Sequence, residues 1–250
     1  DPLDLWAAIY WSMTPNKVPA FIMRDDFFKG PLWDYLPIHP NHLCEMCGNY
    51  LISRDEVKLA QLRPILKHLA DSGAVGMFPG RTRSRTGAWF EYREDRVNPG
   101  SPAFLITITR RRFPGEPITV TPVARTWHPI RKSAAIVFGP ALYFSEEADR
   151  TVQQAFDDAV LTAIGDLVEI HGLHLVSALL WMHVLHYGET PISTPALRKA
   201  ITNWIGGSHT HPVHPALIEK PEEEIAPAVD YLARRRFLRW EGDWLYPNAA

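Results

Sequence analysis

The chain is poor in cysteine, in long apolar runs and in net charge of either sign. Two cysteines among 250 residues cannot build a disulfide framework, which points to a reducing compartment. No stretch approaches the roughly 18 consecutive apolar residues of a membrane-spanning helix. A formal charge of -2 argues against a domain that holds nucleic acid by bulk electrostatics, where a clearly basic composition is expected. Internal repeats and low-complexity tracts are missing too. The first residues, Asp1-Pro2-Leu3-Asp4, carry neither an initiator methionine nor a signal peptide. They run at once into a helix-like apolar pattern at Leu3, Trp6, Ala7 and Tyr10, and so abrupt a start predicts a fragment with sequence before Asp1.

What is present suits a soluble α/β domain with a smaller appendage. Hydrophobic residues make up 46% and charged residues 22% of the chain, ordinary for a globular protein. Nine tryptophans and 22 prolines add broad apolar contact surfaces and many irregular connections. Short apolar runs alternate with amphipathic stretches over the first part. Pro19 to Met23, Tyr50 to Ile52, Ala74 to Phe78, Ile118 to Ala124 and Ala134 to Phe138 read as strands. Leu5 to Met13 and Asp55 to Ala70 read as helices, the latter with Val57, Leu59, Leu62, Ile65 and Leu66 along one face. The rhythm predicts a mixed, largely parallel sheet flanked by helices. Ser101-Pro102 has the form of a helix start, yet Phe104 to Thr109 is β-branched, and helix and strand both remain open there.

After Phe144 the character changes. Helices are expected from Ser145 to about Ile170, Leu173 to Leu185, Pro195 to Ile205 and Glu222 to Arg235, followed by a hairpin over Phe237 to Tyr246. The division is therefore an α/β core over residues 1–144 and a helical, winged-helix-like region over 145–250.

Most of the chemistry concentrates in Phe78-Pro79-Gly80-Arg81-Thr82-Arg83-Ser84-Arg85-Thr86-Gly87. Guanidinium forks match phosphate oxygens, and small neighbours allow close approach to the backbone; a solvated basic turn is the plainer alternative. A second arginine, Arg54, ends Gly48-Asn49-Tyr50-Leu51-Ile52-Ser53-Arg54, just after a strand, where α/β sheets place ligands. Ile118-Thr119-Val120-Thr121-Pro122-Val123 is an apolar run broken by a proline, which removes a ladder donor.

In this order and spacing the three blocks resemble the glycerolipid acyltransferase superfamily, which acylates glycerol 3-phosphate and 1-acylglycerol 3-phosphate. Its second block ends in arginine, its third reads FPEGTRS or VEGGRSRTG, and its fourth is hydrophobic with a proline. Phe138-Gly139-Pro140 resembles the turn that follows, so the likeness spans roughly Asp1 to Leu142. The resemblance implies transfer of a fatty acyl group from an acyl-CoA or acyl carrier protein thioester to a phosphorylated glycerol or lysophospholipid hydroxyl. It implies Arg54, Arg81, Thr82, Arg83, Ser84 and Arg85 around the acceptor phosphate, with Gly80 and Pro122 in the active-site loops. It also implies Asp1 as the aspartate of the first block, HxxxxD, with Asp4 as the alternative and a general-base histidine five residues before Asp1. No bound cofactor is implied, and the expected location is peripheral, on the cytoplasmic face of a membrane. Gly80-Arg81 stands where the family has Glu-Gly, so a non-catalytic lipid- or anion-binding descendant is the competing expectation.

Other signals lead elsewhere. His39, His42, Cys44 and Cys47 offer zinc-type ligands within nine positions, though no second knuckle accompanies them; an irregular loop is the alternative. His171, His174, His183 and His186 fall on the apolar helical pair, and His209, His211 and His214 in a loop, read as packed or solvent-facing side chains. Arg110-Arg111-Arg112 suits an anionic lipid headgroup or a carrier phosphate, and Arg234-Arg235-Arg236 a winged-helix phosphate contact, with solvated surface the alternative for both. Nucleic acid is not expected as a partner.

Overall fold

A computed structural model of the chain describes residues 19–24, 37–52, 59–78, 101–115, 117–144, 149–207 and 211–248. It is mixed α/β, with eight helices and ten short strands among those residues. They form two compact units. One takes the described residues up to 122 together with 139–165; the other takes 123–138 together with 166–248.

The first unit holds a three-stranded sheet of β1 (Ala20–Arg24), β2 (Tyr50–Ile52) and β3 (Val75–Gly76). Its order is β2-β1-β3 and both pairings are parallel, with Ile22 opposite Tyr50, Arg24 opposite Ile52, and Phe21 opposite Gly76. This is the one parallel sheet among the described residues. The other sheets among the described residues are antiparallel, so parallel pairing covers three of the described strands.

Helix α1 (Pro40–Met46) leads into β2, and α2 (Leu59–Ala70) connects β2 to β3. Leu62, Ile65 and Leu66, at i, i+3 and i+4, form the buried stripe of α2; beside them lie Ile22, Tyr50, Ile52 and Val75 from the strands and Leu105 from α3 (Pro102–Arg112). That last helix resolves the ambiguous β-branched segment. Ser101 caps it, its hydroxyl accepting the Phe104 N–H at 3.3 Å, and the Asp157 carboxylate accepts the Ala103 N–H at 3.0 Å. Thr107 and Thr109 donate their hydroxyls to the Ala103 and Leu105 carbonyls. Capping and burial on two sides outweigh the low helix propensity of the run. The second buried side joins Ala103 and Ile106 to Phe144 and to Phe156 of α4 (Arg150–Asp166).

The run from Ile118 to Ala124 is not one strand. It divides into β4 (Thr119–Val120) and β5 (Val123–His128). Pro122 stands at the break, unable to donate to a ladder, while its carbonyl accepts the Gly139 N–H at 2.9 Å. In the first unit β4 pairs with β7 (Leu142–Tyr143), and in the second β5 pairs with β6 (Ser133–Phe138), both antiparallel. A turn of four residues, 129–132, joins β5 to β6, too short for the crossover a parallel pair needs.

The second unit continues through α5 (Gly172–Tyr187), β8 (Ile192–Ser193), α6 (Thr194–Ile205), α7 (Pro215–Glu219), α8 (Pro221–Arg234), β9 (Leu238–Glu241) and β10 (Trp244–Pro247). Its strands form an antiparallel sheet in the order β8-β10-β9. Val176, Leu197, Ile201, Leu217, Val229 and Leu245 form a fully buried centre that ties the helices to this sheet.

Candidate functional site

Parallel pairing brings the C-terminal ends of β1, β2 and β3 to one edge of the first sheet. The chain leaves that edge at Ile52, two residues before Arg54, and at Gly76, two residues before Phe78. Phe78 stacks on Phe21 of β1, ring centroids 6.4 Å apart. Arg54, Gly80, Arg81, Thr82, Arg83, Ser84 and Arg85 lie outside the described residues, as do Asp1 and Asp4. Of the expected site residues Pro122 is described: it is buried, and its carbonyl bond to Gly139 holds the fourth block against the Gly139-Pro140 turn.

The zinc-type quartet has other work. His39 caps α1, its Nδ1 accepting the Asn41 N–H at 3.2 Å, and His42 lies 3.8 Å from the Glu45 carboxylate. Cys44 and Cys47 are free thiols. Burial, reinforced by Cys47 and Glu45, pushes the Cys44 thiol up, which disfavours a free reactive thiolate. Among the described residues no group of three or more His, Cys, Asp or Glu side chains is placed to hold a metal ion. The segment instead shapes a turn. Gly48, at φ +80°, lets the Asn49 N–H reach the Cys44 carbonyl at 3.0 Å, and the Asn49 side chain accepts the Phe21 N–H at 2.9 Å. The second block is thereby fastened to the central strand of the parallel sheet.

A buried polar cluster lies in the second unit. Glu224 is 4% exposed. One of its carboxylate oxygens meets His128 Nε2 at 3.1 Å; the other accepts the Arg131 guanidinium, from Nε at 2.8 Å and from Nη2. His128 Nδ1 accepts the Arg131 backbone N–H at 3.1 Å. Imidazoles then run in contact from His214 to His128, His171 and His174, with centroid separations of 5.6, 4.3 and 3.7 Å. Burial, then the neighbouring His174 and His128, lower His171 to about 3, against the smaller opposing effect of the Trp127 carbonyl and Glu224. Burial and His128 lower His174 as well. Burial pushes Glu224 up, but the hydrogen bonds and charges of His128 and Arg131 outweigh it and hold the carboxyl below its ordinary range.

This cluster fastens the unit together and does not suit catalysis. Both ring nitrogens of His128 are engaged, so neither is free to take a substrate proton. The adjoining pocket, lined by His128, Ile130, Arg131, Glu223, Glu224 and Pro227, has a volume of about 190 Å³, below the roughly 300 Å³ at which small-molecule sites begin. Sequence reasoning placed His171 and His174 among packed or solvent-facing histidines and singled out neither His128, Arg131 nor Glu224. Periodicity carried a signal for two of them. Glu224 shares a helix face with buried Ala228 and Leu232 at i+4 and i+8, and His128 follows buried Ala124 and Thr126 at alternate strand positions.

No protein-family model, curated protein or solved structure matches this chain.

Proposed function

We propose that the chain is an acyltransferase that moves a fatty acyl group from an acyl-CoA or acyl carrier protein thioester to the hydroxyl of a glycerol-phosphate or lysophospholipid acceptor. One observation carries the reading. The β2-β1-β3 order and its parallel pairing send the segment leading to Arg54 and the segment leading to Arg81, Arg83 and Arg85 off the same sheet edge. Two arginine-bearing blocks distant in sequence thus start from one place, as a shared phosphate cradle requires. In the reaction a general base takes the acceptor proton, the alkoxide attacks the thioester carbonyl, and the thiolate leaves and is protonated. Asp1 would orient the base histidine, which the reading places five residues before it, and the arginines would neutralise the acceptor phosphate. The same reading extends the parallel sheet beyond three strands and places the enzyme at the cytoplasmic face of a membrane.

The test is acceptor-dependent thiol release by the complete protein, with glycerol 3-phosphate or lysophosphatidate and an acyl-thioester. Arg83→Ala is expected to raise the acceptor KM at least about tenfold, the loss of one charge-assisted hydrogen bond, with a smaller effect on kcat. Unchanged kinetics would remove Arg83 from the site. Phosphate-dependent binding by calorimetry without thiol release would favour the second reading, a non-catalytic binding descendant, which the Gly80-Arg81 replacement supports.

Within the second unit α5, β8, α6, α8, β9 and β10 run in a winged-helix-like order with a 1-3-2 sheet, to which the short helix α7 and the β5–β6 hairpin are added. Its helix α8 carries exposed Glu222 and Glu223 and half-buried Asp230, paired with Arg198, Lys220 and Arg234 respectively. An acidic, internally paired helix repels a phosphate backbone, which supports a structural or protein-contacting role for this unit over DNA binding.

A further inference from the structure

Two packed helices of the first unit gather positive charge in a chain that is acidic overall. Asp and Glu number 28 against 26 Lys and Arg, yet neither Leu59–Ala70 nor the segment 101–115 contains a single carboxylate side chain. Those stretches hold Arg63, Lys67, Arg110, Arg111 and Arg112. The helices join through Leu62, Leu66 and Leu105. Arg63 and Lys67, one turn apart, lie on the exposed stripe of α2, while Arg111 and Arg112 are exposed at the last turn of α3. The next residue, Phe113, is 37% exposed, and Pro114-Gly115 carries the chain away. Among the described residues Arg111 and Arg112 have no ion-pair partner.

We propose that the C-terminal tip of α3, with exposed Arg111, Arg112 and Phe113, docks the protein on an anionic lipid surface. Cations beside a bilayer each gain from its negative surface potential, and an aromatic ring next to them enters the headgroup boundary. A nucleic-acid backbone would reward the cations without calling for the exposed ring at the helix end. The inference deepens the acyltransferase reading by naming the surface that meets the lipid, and it rests on that reading only in taking the acceptor to be membrane-borne.

Co-sedimentation of the full chain with phosphatidylcholine vesicles, with or without about 30 mol % phosphatidylserine, tests it. Binding is expected only to the anionic vesicles and should weaken strongly in about 0.5 M salt. Replacing both arginines, Arg111→Gln with Arg112→Gln, should lower partitioning about thirtyfold, on the order of fivefold per charge. Phe113→Ser should lower it too, while leaving the salt dependence unchanged. If the double variant misfolds, Arg112→Gln alone is expected to lower partitioning about fivefold. Equal binding to neutral vesicles, variants that partition like the parent, or duplex DNA binding that Phe113→Ser leaves untouched would each overturn the proposal. Turnover of soluble glycerol 3-phosphate by the complete protein, with the segment before Asp1 present, separates the two readings: turnover without vesicle binding sinks the docking surface alone, and vesicle binding without turnover sinks the acyltransferase alone.

Discussion

At Gly172 helix α5 meets the backbone of α8 at Glu224. A methyl group there would sit 2.6 Å from the Glu224 carbonyl oxygen and 3.0 Å from its carbonyl carbon, backbone atoms that cannot swing aside. Gly172→Ala is therefore expected to destabilise the protein by about 1–3 kcal/mol, read as a lower urea midpoint. Glu224→Ala should cost about 3 kcal/mol, because His128 and Arg131 both lose their buried carboxylate partner. At this scale the sequence is least legible. Glu222-Glu223-Glu224 reads as one acidic run, and composition does not distinguish the two solvated members from the buried third. Only the 3.6-residue period separates them, and it does so once the buried face of α8 is known. The arginine loop has the opposite character: its chemistry is plain from residue types, while its residues lie outside the described part of the fold.

Capping decides what propensity leaves open among the elements. Phe104 to Thr109 favours a strand by composition, yet Ser101, Pro102 and the distant Asp157 make it a helix. The Ser101-Pro102 start is visible in sequence. The Asp157 contribution is not, because it joins residues 54 apart. Asp157→Ala should lower stability by about 1–2 kcal/mol, the loss expected when a helix cap is removed, and should reduce far-UV ellipticity on heating before the global transition. Pro122 is the converse case. Its interruption of the apolar run is legible, but the consequence, two strands assigned to different sheets, depends on partners more than a dozen residues downstream. Amphipathic helices were easiest to place. The expected spans Pro195 to Ile205 and Glu222 to Arg235 lie within a residue of α6 and α8 at each end, because a buried stripe fixes both period and extent.

For the whole molecule, the imidazole cluster sets how stability varies with pH. His171 takes a proton near 6.5 when unfolded and near 3 when folded, so between those values the unfolded chain binds more protons. Stability then rises with pH across that window and is fully present above it. Lowered His174 acts in the same direction, and Glu224, held below the ordinary carboxylate range, adds stability that is lost as pH falls through its folded value. Urea midpoints are expected to drop from pH 7.5 to pH 5, and His171→Asn should flatten that slope whatever it does to the midpoint at neutral pH. A flat parent profile would show that the histidines titrate freely. The chain also crosses between its units three times, after residues 122, 138 and 165, and this gives synthesis a fixed order. The β5–β6 hairpin leaves the ribosome before Phe156 and Asp157 exist to complete the first unit, and well before α5 and α8 exist to receive His128. It waits without the rest of its own core until the later segments of the second unit are made, and a chain released anywhere before residue 165 leaves both units unfinished.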